Sequence, residues 1–208
     1  QQFVPPIYVG SDRRELPDID DAGFLERVHN ISRKMGVKVP PVRGLPSLGP
    51  ASIHAYVGTL SNPVVVVGDG VRTRLEPSEA DAIVAHELAH IANGSLWLTT
   101  AVLPISCLVA TAISSVVPLW LALCIGAAFY VGFTPIIGRR FEFDSDLRAA
   151  RAVGFRAMSS ALVKIHAAHS FAETGWISLL VYAIATHPAC EVRIAALCDA
   201  APADDRPD

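Results

Sequence analysis

The chain has 208 residues, of which 51% are hydrophobic and 18% charged, and its formal net charge is -3. This length suffices for one domain spanning residues 1–208, and the composition is more apolar than that of ordinary soluble domains. Binding to nucleic acid requires a dense basic patch, which the sequence lacks, so we expect no nucleic-acid partner.

The first part of the chain predicts one helix and a small sheet. Aspartates and then apolar residues at helical spacing predict a helix over about 21–36, ended by a glycine. Residues 52–57 and 63–67 predict strands, and the Gly-Asp-Gly sequence at 68–70 predicts a turn after the second strand.

A second helix, predicted from about Pro77, carries the sequence HELAH from His86 to His90. Residues four apart lie on the same face of a helix, so the two imidazoles can bind one metal ion. Glu87 lies beside them and can take a proton from an attacking water and pass it to the leaving amine. Imidazole and carboxylate ligands suit zinc, which supports hydrolysis. The alternative is an accidental match on an amphipathic helix.

The most apolar segment is 96–137, and no Asp, Glu, Lys or Arg occurs between Leu88 and Gly138. One membrane span needs about 20 residues, so this length predicts a transmembrane hairpin, split near Val116-Val117-Pro118. Arginines 139 and 140 place the ends of the hairpin on the cytoplasmic side by the positive-inside rule. The alternative is a pair of core helices in a soluble protein.

Further helices are predicted over 139–152, 154–170, about 175–185, and from Pro188 to about Cys198.

Within the apolar segment, Ala122 and Gly126 have the small-xxx-small spacing of packed membrane helices. We give it no weight in so alanine-rich a segment.

Glu142 and Asp146 are candidates to complete a metal site. A catalytic zinc needs a third protein ligand, and on a helix these two acids face the same way, whereas Asp144 falls on another face. Glu142 can then bind the metal while Asp146 accepts a hydrogen bond from a ligand imidazole. The alternative is a solvated cluster in which the acids pair with neighbouring arginines.

Four sequence blocks in this order resemble the integral-membrane zinc peptidases that include the heat-shock protease HtpX and the CAAX prenyl proteases. The blocks are VVVVGDGV at 64–71, HELAHIANG at 86–94, EFDSD at 142–146 and THPACEVRIAAL at 186–197. Residue 1 is Gln rather than Met, so we expect the chain to be a piece of a longer protein.

The resemblance implies an α+β, mostly helical fold, a gluzincin-like domain with a small β-sheet over the HExxH helix and an inserted hydrophobic hairpin. It implies one Zn2+ per chain, held by His86, His90 and Glu142, with Asp146 orienting a ligand. Ser145 stands where the family usually has Ala, and we assign it no catalytic role.

Two further sets of residues are candidates by the same resemblance. His187 or Arg193 is expected to donate a hydrogen bond to the oxyanion formed during peptide hydrolysis. Alternatively, Arg193 pairs with a buried acid and His187 caps a helix. The extended segment His54-Ala55-Tyr56 is expected to bind substrate as an added strand.

These features predict a zinc metalloendopeptidase of the cell membrane, its catalytic domain on the cytoplasmic side, acting on membrane or membrane-proximal polypeptides. One alternative is a processing protease for a single lipidated or pro-peptide-bearing substrate, which substrate scope would reveal. Another is a non-catalytic zinc-binding adaptor, which would require a fourth protein ligand and would have no use for Glu87.

Overall fold

The computed structural model describes residues 16–45, 55–58, 62–169 and 187–206. Over these ranges the chain is mostly helical with one small sheet, which confirms the α+β, mostly helical class. The helices are α1 (Ala22–Lys34), α2 (Asp69–Arg74), α3 (Pro77–Ala92), α4 (Ser95–Ile113), α5 (Leu119–Val153), α6 (Phe155–His169) and α7 (Cys190–Ala200). The strands are β1 (Val42–Leu45), β2 (Ala55–Gly58) and β3 (Val64–Gly68).

Helix α1 begins and ends as the sequence predicts. Oδ1 of Asp21 accepts a hydrogen bond from the Phe24 amide at 2.9 Å, which satisfies one of the free N–H groups of the first turn. Phe24, Val28 and Ile31 are buried along one face. Gly36 follows the helix with φ of 68°, a conformation that glycine adopts without strain.

The sheet has strand order β1-β3-β2, with β1 parallel and β2 antiparallel to β3. Three consecutive valines of the central strand β3, at 65–67, are fully buried, so both faces of this strand are covered. Strand β1 was not predicted, because four residues containing Arg43 and Gly44 give no alternating pattern. The predicted strand 52–57 is described from residue 55 onwards.

The turn predicted at 68–70 is wrong, since the short helix α2 starts there. Gly68 is its N-cap, and the Asp69 side chain accepts a hydrogen bond from Arg72 at 2.8 Å. An aspartate in the first turn also complements the helix dipole, so the residues that suit a turn suit this helix start equally well.

Helix α3 is the central helix of the sheet-containing part. Pro77 occupies its first turn and Glu76 and Glu79 form a capping box, in which the Glu76 amide donates to Glu79 Oε2 at 2.8 Å. The helix packs against α1, α2, α6 and the sheet, so nearly all of it from Glu79 to Ala89 is buried. The sheet does lie against the HExxH helix, as expected.

Helices α4 and α5 are each long and apolar enough to cross a membrane. The most apolar window of each has a mean hydropathy of 2.0 and 1.9, and only 11% and 22% of it is buried against described residues. Core helices of a soluble protein would be mostly buried, so this exposure favours membrane insertion.

The helix break predicted between the apolar segment and residue 139 is wrong. Helix α5 continues for 35 residues, from Leu119 to Val153, through both arginines and the acidic block. Arginine and glutamate are strong helix formers, and a change from apolar to charged residues does not by itself end a helix. The predicted helices at 154–170 and 188–198 correspond to α6 and α7, and that at 175–185 lies outside the described residues.

Contacts divide the chain into two units. One comprises 1–93, 143–171 and 190–208, and the other 94–142 and 172–189.

In the second unit, Gly126 of α5 lies so close to α4 that an added Cβ would be 2.9 Å from the Ala110 Cβ. The small-residue spacing of Ala122 and Gly126, dismissed above, therefore does mark a helix contact, and Ala122 is fully buried.

Candidate metal centre

Helix α3 holds the two histidines of the HELAH sequence side by side. Nε2 of His86 lies 3.0 Å from Nε2 of His90, and the rings meet edge to face with centroids 4.6 Å apart. The spacing of four residues accounts for this, because such side chains lie one above the other on a helix. The same nitrogen of each ring is therefore directed at a common point.

The other nitrogen of each ring contacts a residue of α5. Nδ1 of His86 lies 2.9 Å from Oδ1 of Asp146, and Nδ1 of His90 lies 3.2 Å from Oγ of Ser145. A neutral imidazole has one N–H, and a hydrogen on Nδ1 leaves the Nε2 lone pair for a metal. The carboxylate of Asp146 can only accept, so its contact favours for His86 the tautomer that a metal ligand requires.

Asp146 is 1% exposed and is bound by Arg193 of α7. Nε and Nη2 of Arg193 donate hydrogen bonds to its two carboxylate oxygens at 2.7 and 2.6 Å. Asp146 lies beyond the charge-free segment of α5. Burial raises its pKa, but hydrogen bonds from Arg193 and His86 and their charges outweigh burial and lower the pKa below its ordinary value. Asp146 is therefore an ionised acceptor at neutral pH.

Glu142 is placed one turn before Asp146 on the continuous helix α5. It is buried. Two imidazole nitrogens and one carboxylate oxygen are a ligand set typical of catalytic zinc. The residues present therefore fit a zinc ion.

His187 contacts the same carboxylate. Its Nδ1 lies 3.0 Å from Oε2 of Glu142, and its side chain is 69% exposed. The ring is thus accessible to a bound peptide while it touches a candidate metal ligand. Arg193 is 12% exposed and bound to Asp146, which is the buried-acid pairing weighed as an alternative in the sequence.

A model of peptidase family M48 matches residues 21–201. The chain belongs to this family. Among curated M48-type relatives, it is 29% identical to the protease HtpX of Glaesserella parasuis over 207 residues, 84% of this chain and 72% of that one. It is 33% identical to the protease HtpX homolog of Halobacterium salinarum over 167 residues, 74% of this chain and 55% of that one.

Among solved structures, the chain is similar to Ste24p of S. mikatae, a CAAX prenyl protease, with a TM-score of 0.68 and 14% identity. The match covers 92% of this chain and 54% of Ste24p, so the chain spans about half of that protein. The resemblance to both HtpX and the CAAX prenyl proteases is confirmed, and M48 members are metalloproteases. The two apolar helices, together with the similarity to HtpX and Ste24p, indicate a membrane protein.

Two polar residues of this M48 site were missed in the sequence. Asn93 donates from Nδ2 to Oγ of Ser145 at 3.1 Å, and Ser145 in turn contacts His90. Asn93 lies inside the HELAHIANG block, but its partner lies 52 positions away, so spacing along the chain gives no signal. Ser145 was assigned no role because alanine usually occupies its position.

The segment expected to bind substrate is described in part. His54 lies outside the described residues, whereas Ala55 and Tyr56 lie in β2, paired through the backbone with Val67 and Val66 of β3. Among the described strands, in the order β1-β3-β2, strand β2 is at an edge. At the opposite edge, the Gly44 amide of β1 donates to the Pro17 carbonyl, so that side already has a neighbour.

Proposed function

We propose that this chain is a zinc-dependent endopeptidase that hydrolyses peptide bonds of membrane or membrane-proximal polypeptides. The observation that carries the proposal is the convergence of Nε2 of His86 and Nε2 of His90, 3.0 Å apart, with their Nδ1 atoms held by Asp146 and Ser145. This arrangement presents two lone pairs to one point, and the Glu142 carboxylate is the proposed third ligand.

One zinc ion per chain fits this donor set. When bound, zinc acts as a Lewis acid toward a substrate carbonyl and lowers the pKa of water toward neutrality. The proposed ligand set has three members, which leaves a coordination position for water or substrate. This favours an enzyme over an adaptor whose zinc is only structural.

Glu87 is the proposed general base and acid. It follows His86 directly on α3 and is buried, and it is not among the three proposed ligands. A carboxylate in this position can take a proton from the attacking water and deliver it to the leaving amine.

His187 is the proposed donor to the oxyanion. Its exposed ring adjoins Glu142, so it can reach a carbonyl bound beside the metal position. Arg193 was an equal candidate in the sequence, but its bidentate contact with the buried Asp146 supports a positioning role instead. Substrate is proposed to add to β2 as a strand, since main-chain hydrogen bonds accept many sequences.

The membrane assignment rests on α4 and α5, with the catalytic residues proposed on the cytoplasmic side. Arg139 and Arg140 follow the apolar segment of α5 and support this orientation. A broad range of membrane polypeptides is the proposed substrate class. A dedicated processing role would instead restrict cleavage to one lipidated or pro-peptide-bearing partner.

The deciding experiment compares the parent chain with Glu87→Gln, each purified in detergent. Both are expected to contain one zinc per chain, since Glu87 is not a proposed ligand. Cleavage of an unfolded test protein should fall by about 10²- to 10⁴-fold in the variant, the usual contribution of a general base. The exposed Glu26→Gln on α1 is the control and should cleave like the parent. Equal cleavage by Glu87→Gln would contradict the proposal.

A further inference from the structure

A chain of four polar side chains ends on the metal-site histidine His90. Arg148 Nε donates to Asp144 Oδ2 at 2.7 Å, and Asn93 Nδ2 donates to the same oxygen at 3.0 Å. The Asn93 amide also donates to Oγ of Ser145, whose oxygen lies 3.2 Å from Nδ1 of His90. Ser145 is fully buried, so this contact is shielded from competing water.

The direction of these hydrogen bonds is fixed from the far end as far as Ser145. Arg148 can only donate, and an ionised carboxylate can only accept, so Asp144 is an acceptor toward both of its neighbours. The Asn93 group that faces Asp144 must therefore be its NH₂, which has a second hydrogen available for Ser145. Oγ of Ser145 accepts that hydrogen and keeps one lone pair for His90.

We infer that Ser145 is a positioning residue for the metal ligand His90: its oxygen accepts the Nδ1–H of the imidazole and thereby keeps the lone pair on Nε2. This inference rests on the proposed zinc-dependent function. If the Ser145 hydroxyl instead donated to Nδ1, the hydrogen would lie on Nε2, which faces His86 at 3.0 Å and could not bind a metal.

Two consecutive residues of α5 thus orient the two histidines. The ionised carboxylate of Asp146 contacts His86, and the neutral hydroxyl of Ser145 contacts His90. Alanine at position 145 would keep the helix but remove this acceptor for His90. Partners of this kind contribute about 10- to 100-fold to metal affinity.

The test measures zinc affinity of the full chain in detergent by competition with a chelator. Ser145→Ala should bind zinc about 10- to 100-fold more weakly than the parent. Ser159→Ala, which removes another buried hydroxyl from α6, is the matched control and should bind like the parent. Equal affinity of Ser145→Ala and the parent would overturn the inference.

A second pair of variants separates the hydroxyl from packing. Threonine and valine have the same shape, but only threonine keeps the hydroxyl. Ser145→Thr should therefore bind zinc about 10-fold or more tightly than Ser145→Val. The absorption spectrum of the cobalt(II)-substituted protein should change for Val and Ala but not for Thr, because it reports on ligand geometry. Indistinguishable Thr and Val proteins would contradict a role for the hydroxyl.

These outcomes are distinct from a failure of the proposed function. If the parent itself binds no zinc, both the function and the role of Ser145 are wrong. If the parent binds zinc and cleaves protein while all Ser145 variants match it, only the role of Ser145 is wrong.

Discussion

Oδ1 of Asp146 lies 2.9 Å from Nδ1 of His86 and also accepts a hydrogen bond from Nη2 of Arg193 at 2.6 Å. One buried carboxylate thus joins a candidate metal ligand on α3 to a cation on α7. A substitution at Arg193 is therefore expected to change zinc binding through Asp146, without contact between Arg193 and a substrate.

Asp146→Asn should weaken both zinc binding and folding. The amide keeps the shape but loses the charge, which lowers zinc affinity by about 10- to 100-fold and leaves Arg193 without this countercharge. Breaking a buried ion pair costs about 3 to 5 kcal/mol. Chelator competition and urea unfolding measure the two effects. A variant with parental zinc affinity would mean that Asp146 does not orient His86.

Arg193→Lys separates positioning from oxyanion stabilisation. Lysine keeps the charge but cannot make both hydrogen bonds to Asp146, so we expect zinc affinity to fall together with kcat. A donor to the oxyanion would instead lower kcat and leave zinc affinity unchanged. The exposed Arg151→Lys on α5 is the control and should change neither quantity.

Glu142→Ala should release zinc far more readily than Asp144→Ala. The first removes a proposed ligand, and its effect should exceed the roughly 10- to 100-fold loss that follows removal of a supporting hydrogen bond. The second acts only through Asn93 and Ser145. Metal content after dialysis measures both, and equal losses would show that Glu142 is not the third ligand.

Glu79 should make stability depend on pH. Burial raises its pKa, but hydrogen bonds from Lys164, Ser160 and the Glu76 amide outweigh burial and lower the pKa below 4.5. A lowered folded-state pKa gives stability that is fully present above the unfolded value of 4.5 and is lost as the pH falls through the folded-state pKa.

Glu79→Gln should therefore unfold more easily than the parent at pH 7, by about 1 to 3 kcal/mol, because hydrogen bonds to a charged group are lost. The difference should shrink below pH 4.5. Gln still suits the capping box, so the helix start is retained. Denaturant unfolding at both pH values measures this, and a difference independent of pH would rule out ionised Glu79 as the cause.

The apolar helices should anchor the chain in membranes. The protein is expected to stay with the membrane fraction after a carbonate wash. Leu108→Arg places a charge on a side chain of α4 that is 69% exposed. A charge at the centre of a span costs about 2.5 to 3.5 kcal/mol, so this variant should insert less readily than the parent. Val163→Arg, on an exposed position of α6, should not change fractionation. Release of the parent by carbonate would contradict insertion.

The sequence predicts those parts of the site in which position along a helix determines geometry. His86 and His90 meet because they are four residues apart, and the same spacing places Glu142 one turn from Asp146. Contacts such as that of Arg193 with Asp146 depend on how helices pack, and periodicity does not specify that packing.

Polar contacts of small residues are the hardest to predict. Ser145 touches His90 only because α3 and α5 bring them together from 55 positions apart. The sequence pattern likewise does not predict strand β1, since this strand is stabilised by pairing with β3 rather than by its own residues. The family resemblance predicts the metal ligands, but it does not predict these contacts.

The unbroken course of α5 has a consequence for how its length can vary. Each residue of an α-helix turns the chain by about 100°, so one amino acid inserted between Gly138 and Glu142 would rotate Glu142, Ser145 and Asp146 together relative to the apolar run before them. Substitutions in this interval leave that register intact. The number of residues between the apolar part of α5 and the side chains of the proposed zinc site is therefore expected to be constrained more tightly than their identity.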